Sequence, residues 1–212
     1  MAENADGYLE RRRAHEPVAY IVGSRAFRRL ELAVDPRVLI PRPETELLVE
    51  VALELPVGAR VHEVGTGSGA VALALRDERP DLVVAATERS PGAAANAREN
   101  AARLGIELEV AVGSGVPSGP FDLVVANLPY VREDEWAALA PEITGHEPGE
   151  ALLAGTDGLD EIRSLVAAAT PGQRVALEHA PAQAAAVRAL LREARTRADL
   201  AGRERVTVGL VP

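Results

Sequence analysis

The sequence predicts an α/β fold, a mostly parallel sheet with helices on both faces, preceded by a β-hairpin. Three observations predict it. Short runs rich in Val, Leu and Ile alternate with Ala-rich helical stretches from about position 60 onward. A glycine-rich turn joins the first of these runs to the helix after it. The chain, 212 residues and 47% hydrophobic, is long enough for one well-buried core.

The elements follow in order. Tyr8 to Ala14 reads as a short helix. Val18 to Val22 and Phe27 to Val34 read as extended segments, with Gly23-Ser24 between them as the hairpin turn. Pro41-Arg-Pro-Glu-Thr-Glu46 opens an apolar-periodic helix that runs to Leu55. Proline and acids suit a first turn, where unpaired amides and the positive end of the helix dipole lie. Val61–Val64 is a strand and Gly69–Arg79 a helix. Leu82–Thr87 is a strand, and Pro91–Leu104 a helix stopped by Gly105. Glu107–Val112 and Phe121–Ala126 are strands. Asp157–Thr170 is a helix, capped by Asp157, and Arg174–Glu178 a strand. Pro181–Ala194 is a helix, and Val206–Leu210 the last strand. Residues 1–15 are expected to be an N-terminal tail or the remnant of a linker helix, and residues 16–212 a single domain.

Composition removes several chemistries. All 23 basic residues are arginine, and there is no cysteine. Schiff-base and pyridoxal mechanisms and the lysine-bearing phosphate loop are excluded, as are thiol nucleophiles, disulfides and cysteine-held metals. His15, His62, His146 and His179 lack metal-ligand spacing, so no metal site is expected. The net charge of −9 is unevenly placed: residues 1–42 carry 8 Arg and 6 acids, the remainder 15 Arg and 26 acids. A nucleic-acid partner is therefore disfavoured, since such proteins present a strong basic surface. Aromatic residues make up only 3% of the chain, which argues against a base-stacking platform. No apolar run is long enough to span a membrane, and the expected location is the cytoplasm.

Glu63-Val-Gly-Thr-Gly-Ser-Gly69 follows a strand and opens a helix. Gly65, Thr66, Gly67, Ser68 and Gly69 let the backbone approach a ligand and aim amides at it. Glu88, 21 residues past Gly67 at the end of the next strand, is a carboxylate that accepts hydrogen bonds and so suits the two hydroxyls of a ribose. Together they indicate an adenosine-containing cofactor, either NAD or S-adenosylmethionine. Glu63 leans toward the second, because a carboxylate there can receive an amino acid moiety through water.

Asn127-Leu-Pro-Tyr130, at the carboxyl end of a buried strand, decides between them. A planar nitrogen, in an amide or an exocyclic amine, is a poor nucleophile because its lone pair is delocalised. Two acceptors, the Asn127 side-chain oxygen and the Leu128 carbonyl, can hold its two N–H bonds and aim it at a methyl group. Pro129 fixes the direction of that carbonyl by biasing Leu128 toward an extended conformation. Tyr130 can wall the flat substrate group. Positioning and electrostatics then supply most of the catalysis.

These motifs resemble those of the HemK/PrmC-type protein-(glutamine-N5) methyltransferases that act on peptide chain release factors. The resemblance covers roughly residues 14–209. It rests on Glu16-Pro-Val-Ala-Tyr-Ile-Val-Gly23, Val38-Leu-Ile-Pro-Arg-Pro-Glu-Thr-Glu46, Glu63 to Gly69, Asn127 to Tyr130, Glu147-Pro148 with Ala151-Leu152, Gly155-Thr-Asp-Gly-Leu159 and Gly202-Arg-Glu-Arg-Val206. It implies a Rossmann-like S-adenosylmethionine-dependent methyltransferase fold over residues 16–212, with a seven-stranded sheet whose last strand is antiparallel. It also implies that Gly65, Gly67, Gly69 and Glu88 bind the cofactor. Asn127, Pro129 and Tyr130 would bind the glutamine side chain, with Arg42 and Glu44 at the mouth of the site.

This chain departs from the family pattern in three places. Leu128 stands where the family normally has proline, and Asn-Leu-Pro-Tyr is also the form seen in rRNA adenine dimethylases. Ser114-Gly115-Val116 stands where an acidic–aromatic group usually meets the adenine. About 15 residues precede the catalytic part, where the family typically has a helical domain of some 70. The alternatives are an adenine N6 methyltransferase acting on RNA or DNA, and a non-catalytic cofactor-binding module.

Overall fold

The chain is described by a computed structural model covering residues 5–212; residues 1–4, the start of the expected tail, lie outside the described part. Two sheets form. The smaller is the hairpin of β1 (Ser24–Phe27) and β2 (Leu30–Ala33), with Phe27 facing Leu30 across the turn. The larger holds β3 (Arg60–Val64), β4 (Val83–Glu88), β5 (Glu109–Val112), β6 (Leu123–Ala126), β7 (Arg174–Glu178), β8 (Arg192–Ala198) and β9 (Glu204–Leu210). Its strand order is β5-β4-β3-β6-β7-β9-β8. β3 to β7 run parallel, and β9 is antiparallel to both of its neighbours. The order reverses direction between β3 and β6, so the crevice for a ligand lies above their carboxyl ends.

Helices α3 (Glu46–Leu53), α4 (Ala70–Glu78) and α5 (Pro91–Leu104) cover one face of the sheet. Their Leu48, Leu73 and Ala97 pack with Val61, Leu123 and Val125. Helices α7 (Asp160–Ala168) and α8 (Ala184–Ala189) cover the other, where Ile162, Leu165 and Val187 meet Val64, Val124 and Leu177. Successive β6 residues therefore enter opposite layers, and a strand buried on both faces reads as a continuous apolar run. α6 (Pro141–His146) lies in the long connection after β6. No helix among the described residues is long and apolar enough to cross a membrane.

Three expectations are corrected. Val18–Val22 is a helical turn, α2, and not a strand: Gly23 at φ 79 ends it with its N–H on Ala19, and the Tyr20 hydroxyl is anchored on the Val38 carbonyl at 2.6 Å. Five consecutive apolar residues fit a turn of helix as well as a strand, and the buried Tyr20 decides. The hairpin turn is accordingly Arg28-Arg29, with Arg28 at φ 51. Finally, the helix expected to run to Ala194 ends at Ala189, and Arg192–Ala198 is an edge strand. That strand has few apolar residues to announce it and is held by pairing with β9; its charges and bulges are the usual protection of a sheet edge.

α1 (Ala5–Arg13) is docked on the domain: Arg12 pairs with Glu142 at 2.6 Å, and Nε2 of His146 lies 3.1 Å from the Ala14 carbonyl.

Candidate active site

The glycine turn is bound on two sides. From β3, Glu63 accepts the Thr66 hydroxyl at 2.6 Å and the Ala72 amide at 2.9 Å, which ties the loop to the first turn of α4. From β4, the Thr87 carbonyl accepts the Gly65 and Thr66 amides, and Glu88 accepts the Gly67 amide at 2.9 Å. The other Glu88 oxygen takes the Ser90 amide at the start of α5. Asn100, fully buried on α5, clamps Ser68 to the hairpin: it donates to the Ser68 and Ala33 carbonyls and accepts from the Ala33 amide. Burial pushes the Glu63 carboxyl up to about 8, with Thr66 and Ala72 pulling against it.

Above this turn lies a cleft of about 710 Å³, counting its open mouth. The expected residues Gly65, Gly67, Glu88, Ser114, Gly115, Leu128 and Pro129 line it. A side chain at Gly65 would place a Cβ 3.3 Å from Leu128, so the close approach of the two loops depends on that glycine. Glu63, Thr66, Ser68 and Gly69 lie beneath the cleft and do not line it. Val116, like Phe121, packs against the buried cluster of Val64, Val124 and Leu177, leaving Gly113, Ser114 and Gly115 as the wall; Thr87 holds the Gly115 carbonyl at 3.1 Å. Residues whose sequence context gave no signal also line the cleft, among them Arg37, Arg89 and Glu161. Arg89 bonds Glu161 and the Glu150 carbonyl across the mouth.

Beside the cleft wall, Asn127 donates from Nδ2 to the Thr45 hydroxyl at 3.0 Å. That bond orients the amide and leaves Oδ1 as the atom able to take an N–H. Tyr130 is held by its backbone and its ring. Its carbonyl accepts from Gln183 at 2.9 Å, and its hydroxyl lies 3.4 Å from Glu178 on β7. Burial raises the Tyr130 pKa, so the phenol stays neutral. Arg42 and Glu44 flank Thr45 but are engaged elsewhere. Arg42 pairs with buried Glu147 at 2.5 Å, and that carboxylate also takes the Ile40 amide; Glu44 faces Arg205 at 3.8 Å. Thr45, within the Pro41–Glu46 motif but given no role from sequence, and Glu178 and Gln183, which no motif marks, join Asn127 and Tyr130 only through the fold.

Comparison with known proteins places this geometry. A family model described as methyltransferase small domain matches residues 43–145. The release factor glutamine methyltransferase of Deinococcus radiodurans is 43% identical over 210 residues, covering 93% of this chain and 75% of that protein. The chain belongs to the release factor glutamine methyltransferase family. It is thus an enzyme of the S-adenosylmethionine-dependent methyltransferase class. Solved structures agree on the fold. A methyltransferase from Pyrococcus furiosus superposes with a TM-score of 0.61 at 18% identity, covering 94% of this chain and 95% of that one. An RNA methyltransferase from Salinibacter ruber in complex with S-adenosyl-L-homocysteine gives 0.50 at 18%, covering 82% and 94%.

The cofactor of this class is S-adenosyl-L-methionine, and the site fits it. Glu88, with one backbone N–H on each oxygen, keeps lone pairs for two further donors. The glycine turn also leaves room that a Cβ at Gly65 would crowd.

Proposed function

We propose that this enzyme methylates the side-chain amide nitrogen of a glutamine in a protein, and that the protein is a cytoplasmic peptide chain release factor. One observation carries the reading. Asn127 Nδ2 is taken up by Thr45, which leaves its amide oxygen for a substrate N–H next to the cleft-lining Leu128, whose carbonyl would be the second acceptor. A primary amide has two N–H donors to match them. The names of the relatives support the release factor as the protein that carries the glutamine.

In this reading Gly65, Gly67, Glu88, Ser114 and Gly115 hold the cofactor. Glu63, Thr66, Ser68 and Gly69 shape the turn from beneath, and Val116 packs behind the adenine wall. The bound cofactor supplies an electrophilic methyl group on a positively charged sulfur. The chain's own contribution is alignment: Asn127 Oδ1 and the Leu128 carbonyl each hold one N–H of the glutamine, Pro129 fixes the carbonyl, and Tyr130 walls the amide plane. The nitrogen gains the methyl group and gives up one of its two protons. Arg42 acts through Glu147, which it holds against Ile40, and Glu44 neighbours Thr45 at the mouth.

A radiolabelled methyl-transfer assay with a release factor tests the proposal. Label should enter a single glutamine, and Asn127→Ala should lower kcat by about 10²–10³ while cofactor binding is kept. Absence of label, or incorporation indifferent to Asn127→Ala, would overturn it.

A further inference from the structure

Glu178 ends β7, and the β6–β7 register, with Ala126 opposite Leu177, sets it beside Asn127. Its side chain is fully buried; among the described residues Oε2 has no hydrogen-bond partner, and the carboxylate is approached only by Thr45 and, at 3.4 Å from Oε1, by the Tyr130 hydroxyl. A buried carboxylate so poorly satisfied calls for an explanation beyond packing. The adjacent Thr45 provides it. Thr45 spends a lone pair on Asn127 Nδ2, so its own hydrogen must point elsewhere, and Glu178 is the acceptor beside it.

We propose that Glu178 is a positioning residue for methyl transfer: its ionised carboxylate draws the Thr45 hydrogen, which leaves Thr45 Oγ1 as acceptor for Asn127 Nδ2 and presents Asn127 Oδ1 to the substrate amide. The inference rests on the glutamine-methylation reading. A protonated Glu178 reverses the chain. It donates to Thr45, Thr45 donates to Asn127, and the Asn127 amide turns to offer Oδ1 inward. Its Nδ2 hydrogens then face the substrate N–H, donor against donor.

The groups facing Glu178 set where this reversal falls. Burial raises its pKa to about 7, and the charge of Glu44 adds to the rise. Thr45, Arg205 on β9 and the Tyr130 hydroxyl lower it. The competent arrangement therefore exists above neutrality and is lost below it.

The test measures methyl transfer to a release factor from about pH 6 to about pH 9, with cofactor affinity followed by calorimetry. Four proteins are compared: the unsubstituted chain, Glu178→Gln, Thr45→Val and Thr45→Ser. The unsubstituted chain should lose kcat with one protonation near pH 7. Glu178→Gln should flatten that limb and lower kcat at high pH by about tenfold or more, because a neutral amide no longer dictates the hydroxyl's direction. Thr45→Val should do the same and Thr45→Ser should recover, with cofactor affinity unchanged in all four. Should Glu178→Gln fail to fold, the contrast between Thr45→Val and Thr45→Ser decides. A Glu178→Gln enzyme with the original limb and kcat, or a Thr45→Val enzyme as active as Thr45→Ser, would overturn the inference. An unsubstituted chain that labels no glutamine defeats the parent reading, a result distinct from an active chain whose variants match it.

Discussion

Gly158→Ala separates backbone strain from steric conflict at the site. Gly158 sits at φ 71, and an added Cβ would come within 2.2 Å of the Tyr130 carbonyl oxygen and 2.5 Å of Gln183 Nε2. Neither contact can be tolerated. The first partner is backbone, and the second is a buried amide that also bonds the Asp157 and Gly158 carbonyls. The left-handed conformation by itself should destabilise an alanine by about 1–2 kcal/mol. Breaking the two hydrogen bonds that the Gln183 NH2 can make adds roughly 1 kcal/mol each. The sum, about 3–4 kcal/mol, corresponds to a fall in Tm of roughly 6–16 °C for a chain of this size.

Gly202→Ala is the control: its φ is 76, but nothing lies within 4 Å of the added Cβ. It should show the conformational cost alone, about 1–2 kcal/mol. Urea denaturation of the two variants measures both terms. Because Tyr130 must move, Gly158→Ala should also lower kcat by roughly tenfold or more at temperatures where it stays folded, and Gly202→Ala should not. Equal destabilisation by the two changes, or full activity in folded Gly158→Ala, would refute the reasoning.

Three further outcomes are expected. Glu88→Ala removes the acceptor of two amides and the proposed ribose contact, so cofactor affinity should fall by about a hundredfold in calorimetry; an unchanged affinity would place the ribose elsewhere. On His62, Glu63 and Glu178 together, the stability of the cofactor-free chain should peak between about pH 4 and 5 and decline toward pH 8. Burial holds His62 down at about 4, a contribution present above its ordinary value of 6.5 and lost as the pH falls through 4. Burial lifts Glu63 to about 8 and Glu178 to about 7, contributions complete below the ordinary 4.5 and lost as the pH rises through 7 to 8. Accordingly Glu63→Gln should gain Tm relative to the unsubstituted chain on going from pH 5 to pH 8, and a pH-independent difference would contradict that assignment. Arg42→Ala should destabilise the fold by roughly 2–3 kcal/mol, since it strands the buried Glu147 carboxylate; Arg42→Ala with Glu147→Gln should recover part of the loss.

Much of the architecture is written in local pattern. The runs around Val84, Val124 and Val175 are apolar on both faces and bounded by glycine, proline and acids, which leaves them little choice but a covered parallel sheet. Such patterns fail where an element has no apolar face of its own. Arg192–Ala198 becomes a strand because β9 offers it an edge, and Val18–Val22 coils because Tyr20 finds Val38. Neither partner is visible in a local window.

The sequence by itself marked the groups proposed to do the chemistry. Gly65, Gly67, Glu88 and Asn127 to Tyr130 sit at strand ends, where backbone geometry permits few residue types, and short-range spacing records that constraint. Only the tertiary structure decided how those groups are oriented. Thr45 before α3, Glu178 on β7 and Gln183 before α8 meet Asn127 and Tyr130 from distant parts of the chain. Hydrogen bonds and burial act through space, at ranges of about 3 Å that the order of residues does not encode.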